Sequence, residues 1–189
     1  MKYFAYGSNL LTPRLRDPSR APSAIALGVA LAPGFLMRFH KIGTDGSGKC
    51  TLIPTGDDGD VVYGVVYEFA DSDLAGLDRE EGVHLGGYAR HSLRLRLANG
   101  NTTEAMTYIA GHPYIDPACV PFDWYRDIVV AGALEHGLPP AHVRELERTP
   151  AVPDPDAARA ARVRRLLENP DRKAGHHPSS ARGITESDR

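Results

Sequence analysis

Two short stretches hold residue types that can do chemistry together. In YFAYGSNLL, Tyr3 to Leu11, an apolar run stops abruptly at Gly7-Ser8-Asn9. A chain that leaves a strand there and enters a helical turn aims backbone N–H groups outward. With serine and asparagine beside them, these groups can hold an anion or a developing oxyanion. The plainer reading is a β-turn. In LDREEGVHLGGY, Leu77 to Tyr88, the pair Glu80-Glu81 stands just before Gly82. Adjacent residues on a helix point about 100° apart, so at most one of the two carboxylates is expected to face a pocket. A carboxylate at a helix C-terminus opposes the macrodipole, at a cost of about 0.3 kcal/mol or more, and the same field favours the protonated form. A general base working near neutrality is tuned in this way. The plainer reading is a solvated acidic helix end.

Other patterns compete less well. GTDGSGKC, Gly43 to Cys50, nearly spells the phosphate-cradling G-x-x-x-x-G-K-[ST]. It ends in cysteine where a Mg²⁺-binding hydroxyl is wanted, and TLIPTG behind it has strand rather than helix character, so a flexible hairpin loop is expected. His84 and His91 straddle a glycine turn and a strand, and His176 and His177 lie near the end of the chain. None forms an H-E-x-x-H or Cys/His cluster, GDDGD lacks calcium-loop spacing, and no metal is expected. There is no G-x-S-x-G elbow, and Ser8 has no obvious partner for a triad.

The elements that must position these residues are β-rich first and helical later. Strands are expected over 2–6, 24–31, 35–40, 50–53, 61–69, 88–97 and 102–109. Leu93, Leu95 and Leu97 alternate with Arg94 and Arg96 into Asn99-Gly100, a hairpin signal with one face buried and one wet. Ser72 is expected to cap a helix ending at Gly82, Pro121 to open one ending at Gly137, and Pro139 or Pro140 to start another running to about Arg148. The main domain is expected over 1–149, with a proline-rich connector and basic helix over 150–168 and a disordered polar tail over 169–189.

The 189 residues, 42% hydrophobic and 24% charged with net charge −2, fit a globular protein with no reason to bind nucleic acid. No apolar run reaches the roughly 18 residues of a membrane span. Cys50 and Cys119 form no C-x-x-C pair and are expected as buried thiols. With no signal-peptide pattern after Met1, the cytoplasm is expected.

YFAYGSNLL and LDREEGVHLGGY together, in this order and spacing, closely resemble the γ-glutamylcyclotransferase (AIG2-like) family, and the likeness extends over about residues 2–148, including GLPPAHVRELE. The resemblance implies an α+β fold, a small mixed β-barrel with helices packed outside. It also implies a cofactor-independent reaction on a small γ-glutamyl substrate, in which the substrate's own α-amine attacks its γ-carbonyl and releases 5-oxoproline and an amine or amino acid. Carried over onto matching positions, the catalytic carboxylate is Glu81, the residue just before Gly82, with Glu80 turned elsewhere. The loop Tyr6, Gly7, Ser8, Asn9 and Leu10 binds the γ-glutamyl portion, and Tyr88, Tyr108 and Tyr125 line the pocket. The competing function is a barrel module that binds such a metabolite without turning it over. Oligomeric state and the departing amine are not readable from the sequence.

Overall fold

A computed structural model describes residues 1–168. The tail expected over 169–189 lies outside the described residues. All seven strands appear close to their expected positions: β1 (Lys2–Ala5), β2 (Ile25–Pro33), β3 (Phe35–Ile42), β4 (Gly48–Pro54), β5 (Val61–Glu68), β6 (Tyr88–Leu97) and β7 (Thr102–Ala110). Five close into a mixed barrel in the order β1-β5-β2-β6-β7, antiparallel except where β7 meets β1 in parallel at Tyr3 and Met106. The Thr107 hydroxyl reinforces that seam by donating to the Phe4 carbonyl at 2.8 Å. Phe4 and Leu95 on one face of the sheet and Val65 and Tyr67 on the other are fully buried, and burying such a large side chain contributes about 1.5–3 kcal/mol. Arg94 and Arg96 face water on the other side of the β6 pleat.

Strands β3 and β4 form a separate two-stranded ribbon. The stretch that imitates a phosphate loop is its turn. Gly43 N–H donates to Ser47 O at 2.8 Å, Lys49 pairs with Asp45 at 2.8 Å, and a strand follows.

The helices are α1 (Thr12–Leu15), α2 (Leu74–Glu80), α3 (Asp123–Glu135), α4 (Pro140–Arg148) and α5 (Ala157–Glu168). Two starts differ from expectation. Ser72 sits inside a 3-10 turn, Asp71–Asp73, and makes no cap, its hydroxyl reaching only Asp73 Oδ1 at 3.5 Å. Pro121 lies two residues ahead of α3, because its carbonyl accepts the Val152 N–H at 3.1 Å and Phe122 bridges to Val152 with extended backbone. The segment after Thr149 therefore packs on α3. Buried Asp154 accepts from Trp124 Nε1 at 2.7 Å and from Arg159 Nε at 2.6 Å, and Ala160 is buried. Cys50 is buried as expected; Cys119, on a connecting loop, is only partly covered. Among the described residues no helix is long and apolar enough to cross a membrane.

Candidate active site

The loop after β1 is built from close contacts. Gly7 has a negative φ of −115° and is not left-handed, and its requirement is space: a Cβ there would lie 2.8 Å from Cys50 Cβ. A 3-10 turn, Ser8–Leu10, follows at once, its first internal donor being Leu10 N–H to Gly7 O at 2.9 Å, so the N–H groups of Ser8 and Asn9 stay outside the turn's own bonding. Leu10 faces the core, fully buried, and its carbonyl accepts from Tyr67 OH at 2.9 Å, with His136 Nε2 at 3.0 Å. With its side chain and N–H both engaged, Leu10 supports the loop from behind. Tyr6 is buried and donates to the Tyr108 carbonyl at 2.5 Å.

Helix α2 ends at Glu80. Glu81 is the C-cap, its N–H still bonded to Leu77 O at 2.9 Å, and Gly82 turns the chain away at φ +66°. Glu81 Oε1 accepts from Asn9 Nδ2 at 3.0 Å and from Arg20 Nη1 at 3.1 Å. Asn9 Nδ2 also donates to Tyr3 OH at 2.9 Å, so both amide protons are engaged inside the protein. The amide thus serves the carboxylate, where the sequence offers it as a ligand contact. Arg20 Nη2 pairs with Glu80 Oε2 at 3.1 Å, so the two glutamates diverge but share one guanidinium. Their side chains are 38% and 16% exposed, Glu80 the more open. Arg20 is carried by a turn in which its N–H bonds Asp17 O at 2.8 Å, and the turn lies against α2 at Gly76, where a Cβ would come 2.9 Å from Arg20 O. Sequence reasoning missed Arg20 and Tyr3; no local pattern marks either.

The remaining pocket tyrosines converge on Cys50. Tyr88 OH donates to Cys50 O at 2.6 Å, and Cys50 N–H donates to Tyr125 OH at 3.2 Å, with Ser8 a further partner of that phenol. Tyr108 OH donates to Asp78 Oδ1 at 2.8 Å. Burial pushes the phenols of Tyr3, Tyr6, Tyr88, Tyr108 and Tyr125 up, so they are neutral near pH 7. Burial likewise pushes the Cys50 thiol up to about 12, which removes it as a thiolate nucleophile.

Two connected hollows meet at these residues. An inner niche of about 30 Å³ lies among Tyr3, the 6–9 loop, Cys50, Glu81, Tyr88, Tyr108 and Tyr125. A cavity of about 540 Å³ opens outward between the ribbon, α1, the α2 end and α3. Ser8, Glu81, Tyr88 and Tyr125 line both. Among the described residues no histidine lines either hollow, and none of these sets an imidazole beside Ser8. Among the described residues no group of three or more His, Cys, Asp or Glu side chains is placed to hold a metal. The arrangement has one carboxylate whose second oxygen, Oε2, has no hydrogen bond among the described residues, set against hydroxyls and loop amides. It is suited to moving a proton beside a developing oxyanion.

Comparison with known proteins agrees with the fold. A model of the AIG2-like family matches residues 61–146. The mouse protein named gamma-glutamylcyclotransferase is 32% identical over 150 residues, covering 77% of this chain and 76% of the mouse one. The human protein of the same name is 33% identical, with 77% and 76% covered. Among solved structures, one titled gamma-glutamyl cyclotransferase superposes with a TM-score of 0.76 at 27% identity, over 89% of this chain and 99% of that one. With the five-stranded barrel and both motifs in place, the chain belongs to the γ-glutamylcyclotransferase family of enzymes.

Proposed function

We propose that this enzyme cyclises the γ-glutamyl group of a small substrate, releasing 5-oxoproline and an amine or amino acid, with Glu81 as base and then acid. The observation that carries the reading is the tethering of Glu81. Its Oε1 is held by Asn9 and Arg20, which leaves Oε2 available where niche and cavity meet. The reaction needs no protein nucleophile, and among the described residues neither hollow offers one with a histidine base: burial raises the Cys50 thiol, and no imidazole lies beside Ser8.

In the proposed sequence the substrate's α-ammonium, with an ordinary pKa of about 8, gives a proton to Glu81. The freed amine forms a bond to the γ-carbonyl carbon, whose oxygen becomes the oxyanion. The oxyanion then collapses and the bond to the departing nitrogen breaks as Glu81 returns the proton to it. The ring nitrogen gives its second proton to Glu81, which passes it to the released amine, leaving neutral 5-oxoproline, an ammonium product and the carboxylate restored. Holding both ends of one molecule in ring-closing geometry can supply about 7–11 kcal/mol of the barrier. We assign the oxyanion to the outward N–H groups of Ser8 and Asn9 with the Ser8 hydroxyl, Gly7 keeping the loop close to Cys50. Tyr6, Tyr88, Tyr108 and Tyr125 shape the wall, and Leu10 anchors the loop. The free thiols of Cys50 and Cys119 support a reducing, cytoplasmic setting. Assay of 5-oxoproline release from a panel of γ-glutamyl compounds tests the reading. A folded protein inert across the panel overturns it in favour of a binding module.

A further inference from the structure

The charged groups lining the outer cavity do not balance. Arg14, Arg20, Lys41 and Lys49 face Asp45, Glu80 and Glu81. Arg20 takes both glutamates, each at 3.1 Å, and Lys49 takes Asp45 at 2.8 Å. Arg20 thus sets one positive charge against two carboxylates, and across the whole wall the cations exceed the anions by one, four against three. Lys41 and Arg14 are left with no carboxylate within 4.0 Å among the described residues. Lys41 is only 8% exposed, and its ammonium rests over the rings of Tyr88, 5.1 Å from the centroid, and Tyr114, at 6.0 Å. Arg14 is half-buried, and its Nε is a buried donor with no partner among the described residues. Burial and the neighbouring Arg20 bring Arg14 down to about 10, still a cation near pH 7.

A covered ammonium that no carboxylate touches, with Glu81 and Asp45 acting on it only from beyond contact distance, is costly unless something arrives to pair it, and two rings supply only part of the compensation. The position of Lys41 indicates which part of a ligand it meets. Tyr88 separates the two hollows: its hydroxyl reaches Cys50 O inside the niche, while Lys41 lies over its ring on the cavity side. Lys41 thus stands one ring beyond the reacting end, on the side the departing nitrogen must leave by. Resting on the cyclisation proposed above, we infer that Lys41 is a specificity-determining residue. Its ammonium receives a carboxylate on the departing amine, and the enzyme thereby discriminates against departing amines of the same shape that lack this charge.

A matched substrate pair tests this, γ-glutamylglycine against γ-glutamylmethylamine, which differ only in that carboxylate. With 5-oxoproline release as readout, the wild-type protein is expected to prefer the glycine compound by about 10- to 100-fold in kcat/KM, the scale of a hydrogen bond to a charged group. Lys41→Met keeps the apolar stem and is expected to abolish at least tenfold of that preference through KM, leaving the methylamine compound within about threefold; Lys41→Arg restores the preference. Thermal melting of each variant confirms that it is folded, and Lys41→Gln against Lys41→Arg makes the same comparison should the methionine variant fail to fold. Equal losses on both substrates, or an unchanged preference, overturn the assignment while cyclisation stands. Absence of 5-oxoproline from both substrates with folded wild-type protein removes the cyclisation reading and the Lys41 role together.

Discussion

Replacing Glu81 by glutamine separates chemistry from architecture. The carboxylate is 16% exposed and accepts two hydrogen bonds through Oε1, from Asn9 and Arg20. An amide oxygen can accept both, and Arg20 keeps Glu80 as counter-ion at 3.1 Å. The structural loss is the difference between charge-assisted and neutral hydrogen bonds, about 1–2 kcal/mol in all. The kinetic loss is larger. An amide cannot take the proton of the attacking ammonium, and a positioned base contributes typically 10²–10⁴-fold, about 2.7–5.4 kcal/mol at 1.36 kcal/mol per decade. Turnover should therefore fall at least a hundredfold while urea denaturation shows a stability change of about 1–2 kcal/mol and 5-oxoproline still binds by calorimetry. Glu80→Gln is the control. Its partly exposed ion pair is worth about 0.2–1 kcal/mol at most, and turnover should stay within about threefold. A folded Glu81→Gln enzyme retaining more than a tenth of wild-type turnover, or equal activities in the two variants, would refute the role given to Glu81.

Gly7→Ala sets a Cβ 2.8 Å from Cys50 Cβ in a packed interior, and denaturation should show a loss of about 1–3 kcal/mol; an unchanged midpoint would mean that the loop has room to shift. Asp154→Ala removes the acceptor of Trp124 Nε1, and Trp124 both lines the outer cavity and meets Tyr125 edge-on at 5.8 Å, so KM should rise together with a lower melting temperature. A drop in melting temperature without any kinetic change would separate that segment from the site. Burial holds the His136 imidazole below its ordinary 6.5, so the folded state binds fewer protons than the unfolded chain. The resulting stability is complete above about pH 6.5 and declines as the pH falls from there towards the folded value. Melting scans should show that decline, and His136→Gln, which can still donate to Leu10 O, should flatten it.

The strands were legible because alternation and turn signals are local. Leu93, Leu95 and Leu97 with Asn99-Gly100 specify a hairpin without reference to the rest of the chain. The two helix starts that differ from expectation depend on distant partners. Pro121 is kept out of α3 by Val152, and Ser72 does no capping because the chain enters α2 through a 3-10 turn. The same division runs through the site. YGSNL and Glu81 stand out as motifs, whereas Arg20 lies 61 residues from Glu81 in a turn of ordinary composition. Lys41 is a single lysine in a strand, and that no carboxylate among the described residues touches it appears only once the cavity closes around it. The unequal exposure of Glu80 and Glu81 follows from helical geometry, but their common guanidinium does not.

Because one amide, that of Asn9, grips both Glu81 and Tyr3, a shift of the first loop is passed directly to the carboxylate proposed as proton carrier. Redesign aimed at what departs has little freedom there, since the loop and that carboxylate share a hydrogen bond. The freedom lies across the opening, on the Gly43–Ser47 turn and the ribbon that carries it, which can be recut to admit other amines while the ring-closing end keeps its shape.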